Sequence, residues 1–158
     1  MTTPAQAVTP DSDAQSAAEA VALELAARDL YDTAIEAGAD APIWATLREQ
    51  HESYAQRLAG IVGVSANTPD ADLLAGLSES FAVTNPGEAA VELENSLVAG
   101  HTGRLAAIAG GTSTGDALAS AFASIVTAEA RQATVVALLS GVTDAAALYV
   151  NPSSEAGA

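Results

Sequence analysis

Apolar residues recur at steps of three and four along four stretches of the chain, the spacing that lines one face of an α-helix. The first stretch carries Val21, Glu24, Tyr31 and Ile35 on that face. The second carries Trp44, Leu47, His51, Tyr54, Leu58 and Ile61. The third carries Glu94, Leu97, Val98, His101, Leu105 and Ile108, and the fourth Phe122, Ile125, Glu129, Gln132, Val136 and Leu139. Helix punctuation brackets each stretch. Ser12 and Gln15 have capping-box spacing and Gly38 is a stop. Asp40-Ala41-Pro42 reads as a cap followed by a first-turn proline, with Gly63 at the far end. Asn85-Pro86-Gly87-Glu88 starts the third helix, which stops at Gly110-Gly111. Ser113 or Thr114, with Asp116 in the first turn, starts the fourth, which stops at Gly141.

Short gaps after the first and third helices predict antiparallel hairpins. The gap from Val64 to Thr84 is long, which predicts a crossover between helices two and three. Within it, Thr68-Pro69-Asp70 caps a short extra helix through Leu77. The expected fold is all-α: an antiparallel four-helix bundle over residues 12–150, with flexible ends at 1–11 and 151–158.

Each apolar stripe holds an ionisable or polar residue near its middle. Charged side chains are rarely buried unless paired or metal-bound, so a polar waist is expected where the four helices meet. The two halves also repeat. Leu23-Glu24 with Tyr31 matches Leu93-Glu94 with His101, and His51, Tyr54, Leu58 and Gly63 match Glu129, Gln132, Val136 and Gly141 at identical offsets. A duplicated helix hairpin explains that agreement.

Four helices, a long central crossover and one glutamate on each of helices one and three resemble the ferritin-like superfamily. The resemblance covers about Ser12 to Gly141. It implies that helices two and four each supply Glu-x-x-His, and that six side chains hold two metal ions at the bundle centre. Glu24 and Glu94 stand where that pattern has the single glutamates, and Glu129 where it has the helix-four glutamate. The chain departs from the pattern at three places. His51 replaces the helix-two glutamate, Tyr54 its histidine, and Gln132 the helix-four histidine. A second register would put Glu52 and Ala55 in the helix-two roles, but His51 keeps both the apolar stripe and the repeat offsets.

The candidate metal ligands are therefore Glu24, His51, Glu94 and Glu129, with Tyr31, Tyr54, Gln132 and His101 around them. Three carboxylates and one imidazole suit one divalent ion better than two. Iron or manganese is the metal that the resemblance implies. His101 lies two turns beyond Glu94, about 10 Å along the axis, and is read as a core histidine that shares no ion with Glu94. Arg28 and Arg131 are expected to pair with carboxylates on neighbouring helices.

The favoured reading is a ferritin-like bundle with a depleted metal site and a structural or protein-interaction role, with no catalytic residue. The alternative is an iron- or manganese-binding protein, for metal storage or oxidase-type chemistry, using the same cluster.

Composition narrows the partners. The 158 residues carry 20 Asp and Glu against five Arg and no Lys, for a net charge of −15. That excludes the basic face that nucleic acid or an anionic membrane needs. Cys is 0, which removes disulfides and thiolate chemistry. The Gly110–Gly115 loop lacks the lysine of a phosphate loop and reads as a turn. The N-terminus has no basic run or apolar segment of a secretory leader, and every long apolar stretch is interrupted short of a bilayer span. A cytoplasmic protein is expected, with a homodimer or a protein partner adding burial to an alanine-rich core.

Overall fold

The computed structural model describes residues 12–108 and 111–144. Among these the chain is all helical, with no strand: α1 (Ser12–Glu36), α2 (Pro42–Val62), α3 (Ala71–Phe81), α4 (Gly87–Ala107) and α5 (Ser113–Leu139). The stretches 1–11 and 151–158, expected to be flexible, lie outside the described residues, as do residues 145–150 of the expected domain.

Local chemistry accounts for several helix ends. The Asp70 carboxylate accepts from the Leu73 N–H at 2.8 Å and caps α3, and the Thr112 hydroxyl accepts from the Gly115 N–H at 2.9 Å and caps α5. Gly63 ends α2 with φ +71°, which a side chain would strain, and donates its N–H to the Ala59 carbonyl. Asp40 does not cap α2. The capping position falls on Ala41, which has no side-chain acceptor, and Pro42 starts the helix through its fixed φ. The crossover helix α3 runs to Phe81, past the expected stop at Leu77. Its apolar side explains the extra turn: Phe81 is buried in the core, and Leu73, Leu74 and Leu77 pack against the same cluster. The Asp70 N–H also donates to the Ala22 carbonyl of α1 at 2.9 Å, fastening the crossover to that helix.

The helix pairs α1–α2 and α4–α5 make the broadest contacts, and they meet along α2–α5 and α1–α4. Buried alanines, among them Ala17, Ala20, Ala27, Ala34, Ala55, Ala90 and Ala121, let the backbones approach closely. The large apolar side chains gather in two clusters. One holds Leu30, Tyr31, Trp44, Leu47, Phe81, Leu93, Leu97 and Val136. The other holds Val21, Leu25, Leu58, Leu118, Phe122 and Ile125. His51 and Glu129 lie between the two clusters along α2 and α5, whereas Glu24 sits among second-cluster residues next to Leu25 and Glu94 among first-cluster residues between Leu93 and Leu97. The order of clusters also gives the chain direction. In α1 and α5 the second cluster precedes the first, and in α2 and α4 the first precedes the second.

Two residues expected on the inward stripes face water: Ile35 is 38% exposed and Leu139 is 62% exposed. Both sit in a last helical turn, where the drift of a three-and-four pattern turns Ala34 and Ala137 inward instead. The sequence-based expectation that every apolar stretch is too interrupted to span a bilayer also needs correction. Ser113–Leu139 is long and apolar enough to do so by length and composition, because Glu129 and Arg131 are its only charges after Asp116. Within the fold, that apolar character is used to bury Leu118, Phe122, Ile125 and Val136.

The caps separate cleanly in a stability experiment. Asp70→Ala and Thr112→Ala are each expected to lower the unfolding free energy by about 1 kcal/mol, and Asp40→Ala by less than about 0.5 kcal/mol. Urea denaturation monitored by helical circular dichroism reads the difference.

Candidate metal centre

Glu24 of α1, His51 of α2, Glu94 and His101 of α4, and Glu129 of α5 are each fully buried. Four helices thus send five ionisable side chains into one enclosed region. His51 lies between two carboxylates, with Nδ1 2.7 Å from Glu24 Oε2 and Nε2 3.1 Å from Glu94 Oε1. The Tyr31 hydroxyl donates to that same Glu94 oxygen at 2.6 Å. The second oxygen of Glu24 lies 2.5 Å from His101 Nε2, which is also 3.6 Å from Glu129 Oε1. One ligand atom each from Glu24, His51 and Glu129 lie within 4.8 Å of one another.

The structure therefore brings together all four candidate ligands, and it adds His101 to them. The 10 Å rise separates His101 from Glu94 on its own helix, but it says nothing about Glu24, which reaches across from α1. A signal for this was present in the sequence. Tyr31 and His101 occupy equivalent positions of the repeat, and each bonds the glutamate of the other half: Tyr31 to Glu94 and His101 to Glu24. Tyr54 and Gln132 are likewise equivalent, and they meet at the edge of the waist at 3.4 Å.

The register of α2 follows from burial. His51 points into the cluster, and Glu52 is turned away and paired with Arg48, which also reaches Asp32 of α1 at 3.2 Å. Arg28 pairs with its chain neighbour Asp29 instead of a carboxylate across a helix interface. Arg131 makes no ion pair among the described residues, because it emerges on the exposed side of α5.

Burial disfavours charge at each of these groups, and the neighbours decide the outcome. For Glu24, burial would raise the pKa, but hydrogen bonds from His101 and His51 and their positive charge hold it down to about 2. For His51, burial works against the cation. The charge of Glu94 and the hydrogen bonds with Glu24 and Glu94 outweigh it and lift the pKa to about 10. Glu129 accepts no hydrogen bond, and its nearest imidazole nitrogen, His101 Nε2, stands 3.6 Å away. Burial, then the negative charges of Glu24 and Glu94, and last the close approach of the Glu24 carboxylate as an acceptor for its proton push its pKa well above the ordinary carboxylate range. Tyr31 is pushed up by burial and by Glu94, and Tyr54 rises to about 12 through burial and the charges of Glu129 and Glu24. The Tyr31 ring lies nearly parallel to that of His51, with centroids 5.5 Å apart, which favours the imidazolium further.

Some polar atoms in this region stay unsatisfied. Both Glu129 oxygens, Glu94 Oε2, His101 Nδ1 and Gln132 Oε1 are buried without a hydrogen-bond partner. Buried polar atoms are rarely left so. Unpaired carboxylate oxygens beside imidazole nitrogens form a donor set suited to a cation, with Glu24, His51 and Glu129 as its nearest-spaced members.

Without a metal, the linked protons set how stability varies with pH. The His51 pKa is raised on folding, so its contribution is complete below pH 6.5 and is lost as pH climbs toward about 10. The raised pKa of Glu129 acts in the same direction. The Glu24 pKa is lowered, so its contribution is complete above pH 4.5 and is lost as pH falls toward about 2. Because the Glu129 contribution is lost as pH rises above 4.5, the melting temperature of metal-free protein should peak near about pH 4.5 and fall on both sides. Glu129→Gln, which mimics the neutral acid, should change stability by less than about 1 kcal/mol, and Glu24→Gln should cost about 3 kcal/mol by leaving a buried imidazolium half-paired. Comparison with protein-family models, curated proteins and solved structures finds no match for this chain.

Proposed function

We propose that this chain is a ferritin-like antiparallel four-helix bundle, formed by α1, α2, α4 and α5 with α3 on the crossover, that binds a divalent iron or manganese ion in its waist. The bundle reading is supported by the order of the apolar clusters. That order makes α1 and α2 run oppositely, and likewise α4 and α5, while α2 and α4 run the same way. A long crossover between helices two and three produces that arrangement.

The metal reading rests chiefly on one observation: both oxygens of the fully buried Glu129 lack a partner, next to ligand atoms of Glu24 and His51. Three carboxylates and two imidazoles suit first-row divalent ions of intermediate hardness. Glu24, His51 and Glu129 would hold the ion, with Glu94 and His101 beside them. Such an ion would replace the protons on His51 and Glu129, so binding would weaken at low pH. Relative to the superfamily pattern the site has His51 in place of a glutamate and Tyr54 and Gln132 in place of both histidines, and no residue is assigned to oxidase chemistry.

A second reading keeps the waist metal-free and gives the bundle a structural or protein-interaction role in the cytoplasm. It is favoured by His51, which as an imidazolium satisfies Glu24 and Glu94 at once. Under either reading the strong acidity supports partners other than nucleic acid or anionic membrane.

Elemental analysis separates the two. Protein prepared without chelator and incubated anaerobically with Fe2+ or Mn2+ should retain about one ion per chain. Glu129→Ala should weaken retention at least about tenfold with unchanged helical circular dichroism. Wild-type protein that retains no more metal than Glu129→Ala supports the metal-free role.

A further inference from the structure

The five waist residues have no exposed surface, so anything that reaches them must pass a seam between helices. Apolar side chains close two directions. Tyr31, Trp44 and Phe81 stand on one side, and Leu25, Leu58 and Phe122 on the other. The α2–α5 seam differs from both. Here a groove of about 290 Å³ is cut into the surface, and both Gln50 and Gln132 line it. Gln132 is only 7% exposed and lies one turn beyond Glu129 on α5. Its amide nitrogen donates to Gln50 Oε1 and reaches the Tyr54 hydroxyl at 3.4 Å. Tyr54 in turn meets the edge of the His51 ring, with centroids 5.8 Å apart. A chain of contacts thus runs from the groove through the Gln132 amide and the Tyr54 hydroxyl to the edge of the His51 ring, the last step being a ring contact. The carbonyl oxygen of Gln132 is buried and has no donor.

We propose that the α2–α5 groove is the solvent route to the buried cluster and that Gln132, held by Gln50 and Tyr54, is its gate, passing a hydrated divalent cation. The route itself stands on this geometry; that a cation uses it rests on the metal-binding reading above. A carboxamide fits the task physically. Its two hydrogen bonds join neutral groups, so they break and re-form at low cost. Its free carbonyl oxygen offers a passing cation a ligand in place of one lost water. Gln50 and Tyr54 carry no charge that would trap the ion short of Glu129, and the only charged side chain lining the groove, Arg131, opposes an incoming cation without binding it.

Two substitutions give opposite outcomes. Gln132→Ala removes the plug, and Gln132→Leu keeps its bulk but removes the carbonyl and both hydrogen bonds. Stopped-flow absorbance should show Co2+ uptake about tenfold faster in the alanine variant and about tenfold slower in the leucine variant, with the final stoichiometry of wild type. In metal-free protein, solvent exchange of the His51 ring N–H, followed by NMR, should change in the same order. Gln50→Ala, which frees Gln132 without altering it, should resemble Gln132→Ala if that variant folds poorly. Unchanged exchange and uptake in all three variants would overturn the proposal. If wild type takes up no Co2+, the metal reading fails, and the exchange rates alone decide whether this seam is the route.

Discussion

Glu24 is the residue on which the interior depends. A carboxylate removed from water keeps its charge only when it is surrounded by donors and countercharge. Glu24 meets that condition with one oxygen on His51 and the other on His101, so a residue of α1 binds α2 and α4 together. His51 extends the link to Glu94, and Tyr31 returns it to α1. The two apolar clusters supply the burial energy, and this network fixes the register in which the helices meet. A shift of one helix by a turn would leave each of these charges facing the wrong partner.

Glu129 stands apart from that closed circuit. Its counterpart in the repeat, His51, is saturated with hydrogen bonds, whereas Glu129 has none. The waist is thus uneven: Glu24, His51, Glu94 and His101 form one hydrogen-bonded network, and Glu129 is a carboxyl group that must either hold a proton or receive a cation. A proton and a divalent metal ion are alternative solutions to the same electrostatic problem, which explains how one geometry supports both readings of function. The α2–α5 seam lies on the unfinished side, where Gln132 and Tyr54 replace the apolar residues that seal the other directions.

The all-helical class and the buried mid-helix positions were legible in the sequence because those positions are set by period alone. Glu24, His51, Glu94 and Glu129 each fall on a stripe whose flanking residues are large and apolar, and rigid helices carry that register across the whole bundle. Helix ends were less legible. The α2 start follows Pro42 and not Asp40, Ile35 and Leu139 turn outward because the pattern drifts in the last turn, and the extension of α3 to Phe81 depends on contacts with other helices. His101 was read as a buried histidine around the cluster, but its partner Glu24 was not foreseen. Distance along one helix is readable from numbering, but proximity across helices is not, unless the internal repeat is used to map Tyr31 onto His101. The pairing of Arg28 with Asp29 was equally invisible, since exposed arginines choose partners by rotamer and not by period.

The claim at the centre of this account is that Glu24, His51 and Glu129 converge on one point inside a closed bundle. Anomalous diffraction from crystals equilibrated with Mn2+ tests it most directly. The account predicts a single strong peak per chain among the carboxylates of Glu24 and Glu129 and the imidazole of His51. Density in which those three side chains diverge, or Mn2+ peaks confined to the acidic surface with His51 still joined to both Glu24 and Glu94, would contradict it.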